Sequence, residues 1–264
     1  MKKIIVVMFA LVMVANEALA LNEYGHKSAM LLTEKYLTDK AKSEIKSVLA
    51  GSTMVKEAVW LNTLRKNAEL AHTKEWHFFL LDENGKSTTT KENDGMVVLE
   101  KSIEVLRNRA SHTPAEVKDA LRTVIHLVVD MHTLSHIHID GIAETYDFKF
   151  FHWNEGEGKA SHEWGARWYT LWNNAYLNRY RVFPLSYHAD DIDIHCNEKK
   201  AEYEKGTPRF WAENVGEDVV RALKDFPMGE RVPTNILQRY EEVHVKCMAK
   251  ASYRLAALLN DIFK

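Results

Sequence analysis

The sequence is poor in several things, and each shortage narrows what the chain can be. Cysteine occurs only at positions 196 and 247. Two thiols cannot build a cysteine-rich zinc site, although after export Cys196 and Cys247 would be able to form one disulfide. Positive charge is not in excess: 35 Lys and Arg face 37 Asp and Glu, for a formal charge of −2. That balance argues against tight, sequence-independent clamping of duplex DNA, which needs a basic face to displace counterions. It leaves open a nucleic-acid substrate held through bound metal. After the first twenty residues no apolar run reaches the roughly 20 residues of a bilayer span, so a soluble chain without a membrane span is expected. Runs that alternate apolar and polar residues long enough to suggest a sheet are missing too, as are internal repeats, low-complexity tracts and any convincing linker.

What is present begins with a leader. Lys2 and Lys3, an apolar stretch from Ile4 to Val14, and the small-residue site Ala18-Leu19-Ala20 have the three parts of a secretory signal. Residues 1–20 are therefore read as a signal peptide and residues 21–264 as one helical domain, periplasmic or secreted, with no protein partner implied. Helical periodicity dominates the rest of the chain, and the expected class is all-α. Residues 27–50 read as two helical segments broken near Thr38-Asp39 and ending before Gly51; Val55 to Leu70 reads as the next helix. A polar loop spans Glu83 to Gly95, and a helix runs from Met96 to about Arg109. The clearest start signal is Thr113 as N-cap, Pro114 at the first helical position and Glu116 closing a capping box, with an apolar stripe of Val117, Leu121, Val124 and Val128 carrying the helix to about Met131. Gly141 to Ser161 is a long irregular connection, helical spacing resumes from Trp164 to Tyr180, and residues 182–206 carry no clear pattern. Thr207-Pro208 opens another helix, and Asn235 to Phe263 is helical with a break expected near Lys250.

With 13 histidines available, a metal here would be bound mainly by imidazole and carboxylate, ligands that suit zinc. Cleavage after Ala20 would make Leu21 an amino terminus, whose amine and carbonyl oxygen can close a chelate ring on a cation, with His26 five residues on as the next ligand. His126 and Asp130 are four apart and share a helix face, a spacing that also recurs in solvated polar faces. His132 and His136 come where that helix should end, and His162 lies beyond the loop. His77 sits among aromatics in Trp76-His77-Phe78-Phe79, where a lone imidazole is more often part of the core. Asn62 offers an amide oxygen without charge.

The order of these motifs resembles the zinc-dependent S1/P1 nuclease family, whose all-helical fold is shared with bacterial phospholipase C. Leu21-Asn-Glu-Tyr-Gly25-His26 has the spacing of the family's mature start, Trp-Gly-x-x-Gly-His. Trp60-Leu61-Asn62-Thr63-Leu64-Arg65 resembles Trp-Ala-Asp-x-x-Arg/Lys, and Trp76-His77-Phe78 resembles Trp-His-Tyr. The central His-x-x-Gly-Asp-x-His-x-Pro-x-His is similar to His126-Leu-Val-Val-Asp130-Met-His132-Thr-Leu-Ser-His136. Ser161-His162-Glu163-Trp164-Gly165 matches Leu-His-x-x-Trp-Asp loosely, Trp211-Ala212-Glu213-Asn214 is similar to Trp-Ala-x-Glu-Ser, and Arg254 to Asn260 is similar to the closing helix. The likeness spans the mature chain. By position it implies one zinc held by Asn62, His77, His126 and Asp130, a second held by the Leu21 terminus, His26 and the shared Asp130, and a third with His136 and His162. It further implies hydrolysis of phosphodiesters in single-stranded nucleic acid or nucleotides through a metal-activated hydroxide, with Arg65 facing phosphate and Phe78 as a stacking platform for a base.

Four departures fall on ligands and not on framework. Asn62 stands for an aspartate, Gly165 and Ala166 for the third site's carboxylate, and Leu21 for a tryptophan; the family's Gly-Gly-Asn segment is replaced around Tyr146 to Asn154. Glu163 and Asp140 are the acidic side chains nearest in sequence that would compensate. The main reading is a zinc-dependent phosphodiesterase acting on single-stranded nucleic acid or 3′-nucleotides. The alternatives are a non-catalytic metal- or ligand-binding homologue on the same scaffold and a lipid phosphodiesterase of the phospholipase C kind.

Overall fold

The computed structural model describes residues 23–64, 67–141, 147–151, 163–178, 180–226, 232 and 234–264. The signal peptide expected over residues 1–20 and most of the Gly141 to Ser161 connection lie outside this range. The class is all-α, as the periodicity indicates. The first two helices, α1 (Glu23–Lys35) and α2 (Asp39–Val48), break where expected, with Thr38 Oγ1 accepting from Ala41 N at 3.2 Å. The chain then leaves α2 through left-handed Gly51, at φ +81°, a conformation that glycine adopts without a Cβ clash.

The single helix expected from Val55 to Leu70 is instead α3 (Met54–Glu57), α4 (Trp60–Leu64) and a 3-10 segment, Ala68–His77. The interruption at Ala58 frees its carbonyl from the helical ladder, and His126 uses it. Asp94 caps α5 (Gly95–Arg107), accepting from Met96 N at 2.8 Å, and a 3-10 turn, Arg109–Ser111, comes next.

Helix α6 (Pro114–Met131) has both halves of its capping box: Thr113 N donates to Glu116 Oε2 at 2.8 Å and Glu116 N to Thr113 Oγ1 at 3.3 Å. Every residue from Thr123 to Met131 is buried, so the second half of α6 is a central rod whose polar residues, His126 and Asp130 among them, are shut off from water. Helices α1, α2, α3, α4 and α5 all pack on it.

Four short strands were not expected. β1 (Phe79–Leu81) pairs in parallel with β2 (Ile137–Ile139), Phe79 opposite Ile137, and β3 (Asp147–Phe151) pairs antiparallel with β4 (Glu163–Arg167). Three to five residues are too few to establish a period of two in sequence. The helical stretch expected from Trp164 begins as β4 and continues as α7 (Trp168–Thr170), a π-turn (Leu171–Ala175) and α8 (Tyr176–Asn178). The unassigned stretch holds α9 (Leu185–Cys196), a 3-10 turn (Asn197–Lys199) and α10 (Lys200–Tyr203). Its acidic pattern hides α9 because buried Asp193 is inward-facing, accepting from Lys35 Nζ, from Tyr36 Oη at 2.7 Å and from Tyr253 Oη at 2.8 Å.

Helix α11 (Pro208–Asp225) starts at Thr207-Pro208 as expected, and α12 (Thr234–Ile262) runs unbroken. Lys250 causes no break because its ammonium reaches Asn214 Oδ1, at 2.9 Å. The last helix is the bed for the first: Thr33 Oγ1 donates to Ser252 O at 3.3 Å, Ser252 Oγ to Ala29 O at 3.3 Å, and Asn260 binds both Thr38 N (2.8 Å) and Tyr36 O (3.0 Å). Cys196 and Cys247, whose pairing the sequence leaves open, are buried free thiols, and burial pushes the Cys247 thiol up to about 12. Among the described residues no helix is long and apolar enough to cross a membrane.

Candidate metal centre

His126 and Asp130 lie on the fully buried part of α6, so the solvated-face reading of their spacing is excluded; both are 0% exposed. Around them the fold gathers His26 from α1, His77 from the end of the 3-10 segment and His136 from a 3-10 turn, Leu134–His136, just beyond α6. Asp130 is the hub. Its Oδ1 lies 3.2 Å from His26 Nε2 and 3.8 Å from His136 Nδ1; its Oδ2 lies 2.6 Å from His77 Nδ1 and 3.1 Å from His126 Nε2. The His26 and His126 rings stack with centroids 4.1 Å apart, and one ligand atom from each of His26, His126 and Asp130 falls within 4.8 Å of the others.

Backbone carbonyls set the orientation of two rings. A carbonyl only accepts, so His126 Nδ1 donates to Ala58 O at 2.6 Å and turns its Nε2 lone pair inward. His136 Nδ1 donates to His77 O at 2.7 Å. The segment carrying His77 is itself pressed into place by Gly95, whose N donates to Phe78 O at 2.8 Å and where a Cβ would collide with Trp76 O and Phe78 O.

Several donor atoms remain unused. His26 Nδ1 and Nε2, His77 Nε2, Asp130 Oδ1 and Asn62 Oδ1 are all shielded from solvent without a hydrogen-bond partner. Although His26 Nε2 and Asp130 Oδ1 are close, they are not aligned as donor and acceptor. An unpaired buried polar atom costs about 1–3 kcal/mol, so five within this one region is an expensive arrangement unless something else engages them. α4, which carries Asn62, packs on both α6 and the 3-10 segment ending in His77. Burial holds His26 down at about 3, reinforced by His126, and holds His77 down at about 4. Burial alone would raise Asp130, yet the imidazoles of His136, His126 and His77 outweigh it and keep the carboxyl well below its usual range. At neutral pH His26 and His77 are therefore neutral imidazoles beside an anionic Asp130, the protonation states that a divalent cation such as zinc requires of its ligands.

His132, between the two histidines of the central motif, faces away. Its Nδ1 donates to Val128 O at 2.6 Å and its Nε2 accepts from Arg254 at 2.8 Å. The third position is where the sequence expectation fares worst. His136 Nε2 lies 3.0 Å from Asn173 Oδ1, and that amide is oriented by Nδ2 donating to Ser135 Oγ (2.8 Å) and Tyr169 O (2.7 Å). Both nitrogens of His136 thus face acceptors, and no lone pair is presented to a cation. Asn173 was missed because it sits in a π-turn, where a period of 3.6 no longer says which way a side chain points. Asp140 does not compensate: it is exposed, with Oδ1 accepting from Gly141 N at 3.0 Å. Glu163, Leu21, Arg65 and His162 have no described side chain. Phe78 is half-buried, stacked on His136 (5.5 Å between centroids) and His138 (4.6 Å).

The chain matches a family model described as S1/P1 Nuclease over residues 22–264. No curated protein matches it significantly.

Proposed function

The chain belongs to the S1/P1 nuclease family, and from that premise we propose that it is a zinc-dependent phosphodiesterase cutting single-stranded nucleic acid or releasing phosphate from 3′-nucleotides. The observation that carries the reading is the convergence of His26, His77, His126 and Asp130 in one water-excluded place, with His26, His77 Nε2 and Asp130 Oδ1 left without hydrogen-bond partners. Asn62, His77, His126 and Asp130 would hold one ion. His26, Asp130 and the Leu21 terminus left by cleavage after Ala20 would hold another, which ties the site to export to a periplasmic or extracellular location. Zinc bound there supplies Lewis acidity, which acidifies water toward neutral pH and offsets charge on a phosphodiester.

The chain's own residues do the rest. Asp130 is the shared ligand, one oxygen toward His26 and the other toward His77 and His126. Ala58 O and His77 O fix the rings of His126 and His136, so little ordering is left to be done when an ion binds. Arg65 is assigned to the phosphate oxygens and Phe78 to the face of a base. A third ion is not part of the proposal, because Asn173 already occupies His136 Nε2 and Gly165 and Ala166 bring no carboxylate.

Asn62 and Asn173 also favour one rival, a metal-binding homologue without turnover. The deciding experiment uses protein with a confirmed Leu21 terminus, assayed on single-stranded DNA, single-stranded RNA, 3′-nucleotides and phospholipid, with zinc and with chelator. Chelator-sensitive release of nucleotide or phosphate is expected. Zinc-loaded protein that leaves all nucleic-acid substrates intact refutes the proposal, whether or not it attacks lipid.

A further inference from the structure

A groove of about 480 Å³ opens between α10, α11 and α12, and none of the cluster's residues lines it. Six cationic side chains line it: Lys199, Lys205, Arg221, Lys246, Lys250 and Arg254. Only two carboxylates do, Glu202 and Asp218, and Asp218 is already taken by Arg221 and by Lys250 at 3.9 Å. In a chain whose formal charge is −2, this is a local concentration of positive charge that the overall balance conceals.

Two features make the groove more than a solvated basic face. Arg254 is 3% exposed, and each of its hydrogen bonds goes to a neutral acceptor: Tyr203 O at 2.9 Å, His132 Nε2 at 2.8 Å and Asn214 Oδ1 at 3.3 Å. Buried guanidinium groups are ordinarily paired with carboxylate or phosphate. Lys250 Nζ also donates to Asn214 Oδ1, at 2.9 Å, so the amide NH₂ of Asn214 is left for another acceptor. The second feature is Phe210, 51% exposed on the groove lining. One edge of its ring lies close against Gly206, which holds φ +95° and has no room for a Cβ on that side. An exposed aromatic ring thus stands at the edge of a cationic trough.

We propose that this groove is a second, metal-independent binding site for single-stranded nucleic acid, its cations on the phosphates and Phe210 stacked on a base. It rests on the phosphodiesterase reading for the class of ligand and adds a binding surface outside the metal centre. Single strands suit it because their bases are free to stack. A lipid surface, by contrast, meets convex apolar groups more readily than a cationic cleft.

The test measures binding of a fluorescent oligothymidylate to the full mature chain in chelator, where nothing is cut, across a range of salt. Lys205 and Lys246 are exposed, and K205E/K246E is expected to weaken binding at least tenfold and to flatten the dependence of log K on log salt by about 0.7 for each phosphate no longer neutralised. Phe210→Ala is expected to weaken oligothymidylate binding about 5- to 150-fold while leaving inorganic polyphosphate binding within about twofold. No binding in chelator, or binding that the double reversal leaves unchanged, overturns the proposal. So does an equal loss of polyphosphate with Phe210→Ala, or capture of phosphatidylglycerol vesicles in place of the oligonucleotide. Because the readout needs no hydrolysis, a chain that binds here but never cleaves sinks only the catalytic reading.

Discussion

Asp130→Asn is nearly isosteric, and the distances around it separate what should survive from what should not. The carboxamide oxygen, at the place of Oδ2, still accepts from His77 Nδ1 at 2.6 Å, and the NH₂ replaces an Oδ1 that lies 3.2 Å from His26 Nε2 without a hydrogen bond to lose. The fold in chelator should therefore change by no more than one ordinary hydrogen bond, about 1 kcal/mol. Zinc is a different matter, because both proposed ions share this one carboxylate. At zinc a hundredfold above Kd each ion stabilises the native chain by about 2.7 kcal/mol. Two ions give about 5 kcal/mol, and at roughly 2–4 °C per kcal/mol for a domain of this size the wild-type Tm should rise about 10–20 °C on zinc addition. The variant should rise by a few degrees at most. The assay is a thermal melt of both proteins with chelator and with graded zinc. An equal zinc-dependent rise in the variant would refute Asp130 as the shared ligand, and a variant already unfolded in chelator would refute the account of its hydrogen bonds.

The same geometry bears on three further measurements. Gly95→Ala forces a Cβ against Trp76 O and Phe78 O, so it should cost about 1–3 kcal/mol in urea unfolding and weaken zinc binding by displacing His77; wild-type zinc affinity would show that this close approach does not hold His77. Wild type should carry two zinc ions per chain by elemental analysis, and Asn173→Asp, which puts a carboxylate 3.0 Å from His136 Nε2, should raise the count to three; three ions in wild type would remove Asn173's role as a plug. In chelator, His26 and His77 stay neutral down to about 3 and about 4 while the unfolded chain protonates near 6.5. The unfolded state then binds more protons, so stability should be level above pH 6.5 and fall by about 1.4 kcal/mol per pH unit for each group between 6.5 and 4. Chelated melts at pH 7, 6 and 5 that superimpose would contradict this.

The sequence revealed the long, strongly punctuated parts of the fold and little of the rest. α6 was readable end to end because Thr113, Pro114 and Glu116 are local signals and its apolar stripe has enough turns to show a period. The break at Ala58 was invisible because its cause is tertiary: the carbonyl it releases is used by His126, sixty-eight residues away. The same holds for α9, whose aspartates break any apolar stripe until Tyr36, Tyr253 and Lys35 close on Asp193. At the site, His126 and Asp130 were recognisable from their spacing and His26 from its place just after the leader, while His77 needed the ordered resemblance, since an isolated histidine in a row of aromatics carries no partner information. Asn173 was beyond reach, for an amide beside a tryptophan has no signature until the π-turn aims it at His136. The basic groove was hidden by an averaged charge that sums over surfaces facing different ways.

The bonds between Thr33 and Ser252, and between Thr38, Tyr36 and Asn260, couple the cluster to a part of the fold that contributes no ligand to it. His26 rides on α1, which is seated on α9 and α12 as well as on α3 and α6. His77, His126 and Asp130 are held instead where α6 and the 3-10 segment pack together. A change that loosens α12 should therefore draw one imidazole out of the cluster and leave the rest of it in place.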